Sequence, residues 1–69
     1  MNLKDRRVRL KLSQLKLAHC AGVSSFKLCL YELGQGTLST EEIARLEAAI
    51  AREAQRLRYA LVELETGAS

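Results

Sequence analysis

The sequence predicts an all-α domain of four helices, the last of them long, on three observations. With 69 residues, no proline and four glycines, the chain holds one domain with few places to turn. Hydroxyl residues stand where helices would begin, at Ser13, Ser24 and Ser39. Ile43, Leu46, Ile50, Ala54, Leu57, Leu61 and Leu64 recur at spacings of three and four, the period of one helix face. A hydrophobic content of 48% argues against disorder.

The elements follow in order. Segment one covers about Leu3 to Lys11, with Leu3, Arg7 and Leu10 along one side and Val8 beside them. Ser13 caps segment two, Gln14 to Ala21, and Gly22 supplies the positive φ that a tight helix-to-helix turn requires. Ser24 caps segment three, from Ser25 to about Leu33. Gly34-Gln35-Gly36-Thr37 is the clear loop signal. Ser39-Thr40-Glu41-Glu42 then reads as a capping box, opening a helix without Gly or Pro as far as Glu65, with Gly67 just beyond. Such a helix is about 40 Å long, more than a globule of this size needs.

Several function classes are excluded at this stage. The chain is too short for a large catalytic cleft, and its apolar runs are too short to span a bilayer. The start, Met1-Asn2-Leu3-Lys4, lacks the apolar run of a secretion signal, so a cytoplasmic location is expected. His19, Cys20 and Cys29 lack the paired short-range spacing of a zinc site. The two cysteines are expected as free thiols, and no metal, cofactor or catalytic group is read. A core this small is marginal by itself, which makes self-association the natural supplement.

Charge divides the chain. The first thirty residues carry Lys4, Arg6, Arg7, Arg9, Lys11, Lys16 and Lys27 against Asp5 alone. The remainder carries four arginines against seven glutamates. A basic half joined to an acidic half points to one surface facing a polyanion and another with a separate task.

The pattern Leu12-Ser13-Gln14, Leu17-Ala18, Ala21-Gly22-Val23-Ser24, Leu28-Cys29 and Glu32-Leu33-Gly34 resembles the helix-turn-helix of the XRE, or phage-repressor and Cro-like, family of bacterial regulators. The resemblance covers about Arg7 to Ile50. Each matched residue also has a physical reason: Ala18 sits where two helices cross closely, and Gly22 makes the turn. Leu17, Ala21, Val23, Leu28 and Tyr31 fill the wedge between them.

The resemblance implies a compact helix-turn-helix domain with a core at about 7–50; the apolar stripe beyond it reads as a dimerisation helix at about 51–65, the whole forming a single domain over residues 1–69. It implies an ion pair between Arg7 and Glu32, with a structural role. Base edges in the major groove fall to Ser25, Phe26, Lys27 and Leu30, and phosphates to Lys11, Ser13, Gln14 and Lys16. Gln14 also buttresses the recognition helix. Lys4, Arg6 and Arg9 add non-specific attraction.

The chain departs from the pattern in three places. Phe26 and Leu30 replace the polar residues usual at groove-facing sites. They read as contacts to thymine methyls, as anchors for a protein partner or, for Phe26, as core. Lys11 replaces a common turn glycine.

The tail of segment four, Ala54, Leu57, Leu61 and Leu64 with Tyr59, Ala60 and Val62 widening the apolar surface, extends past what one copy can cover. It reads as one long helix pairing with its twin, the alternative being a separate fifth helix folded back over helix one. The expected function is a homodimeric transcriptional regulator, a repressor or an activator, bound to an inverted-repeat operator in double-stranded DNA. Its setting would be bacterial, nucleoid-associated, or phage-encoded, with a second regulator or RNA polymerase as a possible protein partner. The alternative is an antiactivator or adaptor that keeps the fold and binds protein without specific DNA binding.

Overall fold

A computed structural model describes residues 2–66, and within them the chain forms four α-helices and no strand. These are α1 (Leu3–Arg9), α2 (Gln14–Ala21), α3 (Ser25–Glu32) and α4 (Thr40–Thr66).

Every helix starts on a side-chain cap, which satisfies an amide that would otherwise lack an intrahelical acceptor. Asn2 Oδ1 accepts from the Asp5 amide at 2.8 Å, Ser13 Oγ from the Lys16 amide at 3.0 Å, and Ser24 Oγ from the Lys27 amide at 3.3 Å. α4 opens with the expected reciprocal box. The Glu42 amide donates to Ser39 Oγ at 3.0 Å, and the Ser39 amide donates to Glu42 Oε1 at 2.9 Å. That backbone N–H of Ser39, with the Lys27 charge nearby, holds the Glu42 carboxyl below its ordinary range.

The three short helices also end alike. Lys11, Gly22 and Gly34 adopt left-handed φ values of 60°, 70° and 76°. In each case this residue donates its amide three residues back, and the next donates five back. The pairs are Lys11 to Val8 O with Leu12 to Arg7 O, Gly22 to His19 O with Val23 to Ala18 O, and Gly34 to Tyr31 O with Gln35 to Leu30 O. This is the Schellman closure, which needs a left-handed residue at the pivot. α1 therefore stops at Arg9, short of the expected Lys11, because Lys11 has left the right-handed region.

Leu17, Leu28 and Leu46 are the fully buried centre of the core. Leu3, Leu12, Ala18, Ala21, Val23, Ala49 and Ile50 surround them, with Leu10, Tyr31 and Leu38 packed on the outside. The small residues Ala18 and Ala21 belong to α2, the helix that packs against both α3 and α4. Val8, expected alongside Leu10, is exposed; Leu12, in the turn after α1, is buried in its stead.

α4 is unbroken from Thr40 to Thr66, as the lack of Gly and Pro implied, and no fifth helix forms among the described residues. Its 3-4-4-3-4-3 spacing averages 3.5 residues per step, the heptad period, so on a straight helix the stripe drifts by only about 20° per heptad. Cover fades along that stripe: Leu46 and Ile50 are buried, Ala54 and Leu57 half-buried, Leu61 and Leu64 exposed. The molecule is accordingly elongated, 45 × 19 × 18 Å. Gly67, expected just past the helix end, lies outside the described residues. No helix among the described residues is long and apolar enough to cross a membrane.

The left-handed positions generate opposite predictions. A Cβ at Gly22 would meet nothing within 4 Å, so a side chain there is penalised by the backbone alone. Gly22→Val is expected to destabilise the fold by more than ~1 kcal/mol, whereas Lys11→Gly is expected to stabilise it by about 1 kcal/mol. Urea unfolding of both variants checks the pair; a Lys11→Gly variant less stable than the parent would show that Lys11 carries no backbone strain.

Candidate nucleic-acid interface

The expected pairing of Arg7 with Glu32 is present and is the most buried polar contact in the fold. Arg7 Nε and Nη2 donate to the two Glu32 oxygens, each at 2.8 Å, and the side chains are 10% and 2% exposed. The remaining Arg7 nitrogen, Nη1, donates to the Leu12 carbonyl at 2.7 Å. Gln14 Nε2 donates to Glu32 Oε1 at 2.8 Å. One carboxylate on α3 thus collects donors from α1 and α2, and no buried side-chain polar atom among the described residues lacks a partner. Burial opposes ionisation of Glu32, but the bonds from Arg7 and Gln14, aided by the charges of Arg7 and Lys4, outweigh it and lower its pKa.

Gln14 therefore sits in the buttressing position that the sequence suggested, with its amide donating to Glu32. Of the other expected phosphate residues, Lys11, Ser13 and Lys16 come together around one shallow hollow at the start of α2. Arg9 and Arg56 join them, and Glu53 completes the ring. Glu53 is hydrogen-bonded by Arg56, which together with the Lys16 charge holds its carboxyl low. Four cations against one paired carboxylate leave the hollow positive. The sequence pointed to Lys11, Ser13 and Lys16 as neighbours along the chain. Arg56 arrives from α4, forty residues beyond Lys16, and no local spacing signals it.

The expected base-reading residues fare differently. Phe26 is 71% exposed, which removes the reading of Phe26 as core. Ser25 and Leu30 are half-buried. Leu30 lies under the α3–α4 loop, where a Cβ on Gly36 would stand only 3.0 Å from Leu30 Cβ. Lys27 is exposed and reaches Glu42 at 3.5 Å, a contact open to exchange with another anion. Of the structural set, Ala18, Val23 and Leu28 are buried and Gly22 holds its turn. Of the tail set, Ala54 and Leu57 are half-covered and Leu61 and Leu64 are bare.

One surface residue escapes the sequence reading. Leu15 is 69% exposed, close to the value for Phe26. The two occupy the same place in a repeated turn, since Lys11-Leu12-Ser13-Gln14-Leu15-Lys16-Leu17 and Gly22-Val23-Ser24-Ser25-Phe26-Lys27-Leu28 superimpose at an offset of eleven. In both, a left-handed residue precedes a buried apolar residue and a serine cap. An exposed apolar residue, a lysine and a buried leucine follow. That offset was the available signal. Each of two helix starts thus offers an apolar side chain beside a cation.

Cys20 is exposed and Cys29 half-buried, both free. Among the described residues no group of three His, Cys, Asp or Glu side chains could hold a metal ion. No protein-family model, curated protein or solved structure gives a significant match to the chain.

The buried pair yields a prediction with a pH arm. Glu32→Gln leaves Arg7 without its counter-ion and is expected to cost about 3–5 kcal/mol, while replacing both partners by Leu costs less than that single change. Because the Glu32 pKa is lowered on folding, its contribution is complete above its ordinary value and is lost as pH falls through the native one. Acid unfolding followed by circular dichroism should therefore be less steep in Glu32→Gln than in the parent.

Proposed function

We propose that the protein is a helix-turn-helix transcriptional regulator of the XRE or Cro-like type that binds an inverted-repeat operator in double-stranded DNA as a homodimer. The observation that carries this reading is the α2–α3 unit. Two eight-residue helices meet at the left-handed Gly22, and the second opens on the exposed side chains of Phe26 and Lys27. In this reading α3 enters the major groove, with Phe26 against thymine methyls and Ser25, Lys27 and Leu30 along the same edge. Lys11, Ser13 and Lys16 hold phosphates at the start of α2, and Arg9 and Arg56 add to the field. The α4 tail supplies the dimer seam, and the regulator would work in the cytoplasm of a bacterium or on behalf of a phage.

A second reading is a protein-binding adaptor on the same fold, and the exposure of Leu15 together with Phe26 favours it. The two readings order the following measurements differently. A gel shift against the gene's own upstream region, over a salt series, should show a preference over scrambled duplex. Lys16→Ala is expected to weaken binding to every sequence and flatten the salt slope by about one unit. Phe26→Ala is expected to cost roughly 1–3 kcal/mol on the operator and little on scrambled DNA. Equal binding of the parent to both duplexes at moderate salt would favour the adaptor.

The seam has its own check. Leu57→Glu with Leu61→Glu should give monomers by sedimentation and much weaker operator binding; a variant still dimeric at micromolar concentration would remove the tail from the interface.

A further inference from the structure

α4 carries two halves of one contact. Alongside its covered half, a groove opens against the end of α1, lined by Arg6, Arg9, Leu10, Ile50, Ala51 and Ala54. Leu10 and Leu57 continue this groove into the neighbouring hollow. Its floor is apolar, the alanines leave room for a larger side chain, and of the two arginines on its rim Arg6 is paired with Glu47 while Arg9 is exposed. The far end of α4 is the reverse of this. Leu61 and Leu64 stand 58% and 78% exposed, with Glu65 beside them. An exposed apolar stripe with a carboxylate is thus the chemical complement of an apolar floor beside Arg9.

The two halves cannot meet within one chain. Ala54 and Leu61 are separated by seven residues of unbroken helix, about 10 Å of rigid rod, so the tail cannot turn back into the groove. A second copy can supply what the first cannot.

We infer that the groove between α1 and α4 receives the last turns of α4 from a second copy, running antiparallel about a twofold axis near Leu57 and Arg58. Across that axis Leu61 meets Ala54, Leu64 meets Ile50 and Ala51, and Glu65 comes to the rim that holds Arg9. Each copy gives a plug and a socket, so the contact closes with two chains. A parallel pairing would set Leu61 on Leu61 and Glu65 on Glu65, leaving the groove empty and like charges opposed. The inference rests on the homodimer of the proposed function and specifies its geometry.

Crosslinking of the full chain tests it, in a background where the free Cys20 and Cys29 are replaced by Ser and Ala. Equal amounts of an Ala54→Cys protein and a Leu61→Cys protein should give a covalent dimer under mild oxidation, and Leu61→Cys alone should not. A second arm reads the rim by sedimentation. Arg9→Glu should weaken dimerisation about fivefold through its two symmetric contacts, and adding Glu65→Lys to the same chain should restore it. A covalent dimer from Leu61→Cys alone, an unrestored double variant, or a parent that stays monomeric throughout the micromolar range would each overturn the arrangement. None of these readouts contains DNA. Loss of operator preference with the crosslink intact would sink the regulator reading alone, and a parallel crosslink with operator binding intact would sink this inference alone.

Discussion

The guanidinium of Arg7 is divided between a carboxylate on α3 and a carbonyl in the α1–α2 turn, and the placement of the short helices depends on that division. α1, α2 and α3 have seven or eight residues each, too few to hold helical form in water without tertiary support. Their apolar faces are small, so a directional contact has to fix their relative angle. Glu32 provides it by accepting from Arg7 and Gln14 at once, joining the end of α3 to α1 and to the start of α2. The carboxylate is nearly inaccessible, and a pair without full hydrogen bonding would be a liability there. Here every Arg7 and Glu32 side-chain atom that is buried has a partner.

With that joint fixed, the chain uses one turn twice. Lys11 and Gly22 take the same left-handed pivot, and the residue after each, Leu12 or Val23, drops into the core. The serine that follows caps the next helix, which leaves its second residue pointing outward. This is why Leu15 and Phe26 are both exposed although neither sequence position is polar. The repetition gives the candidate surface two similar corners, one bordered by Lys11 and Lys16 and the other by Lys27.

The division of charge seen along the chain acquires a spatial meaning in the fold. Lys11 and Lys16 gather at the start of α2 with Arg9 from α1, and Arg56 reaches the same hollow from the acidic half. The acidic half is chiefly α4, where two glutamates are matched locally, Glu41 by Arg45 and Glu53 by Arg56. Glu47 instead crosses to Arg6 on α1 and fastens the two halves together. Beyond Leu57 the helix leaves the globule, and its apolar stripe continues without cover.

The four helices, the serine caps of α2, α3 and α4 and the Gly22 turn were legible in the sequence, while the unbroken α4 was the favoured one of two readings and the Asn2 cap of α1 was not read. Each rests on residues within a few positions of one another, where local backbone chemistry decides. The Arg7–Glu32 pair, twenty-five residues apart, was reached through a family resemblance and not from spacing. Three features became visible only in three dimensions. Lys11 accepts a strained φ because closing α1 there buries Leu12 and presents its carbonyl to Arg7, a gain no local preference registers. Arg56 joins Lys11 and Lys16 because α4 passes the start of α2, and Glu47 finds Arg6 because α4 lies along α1. The sequence by itself determined that there are four helices and where three of them are capped; the packing of α4 against α1 and α2 decided which charges and apolar side chains share a surface, because side chains distant in the chain acquire neighbours only when the helices pack.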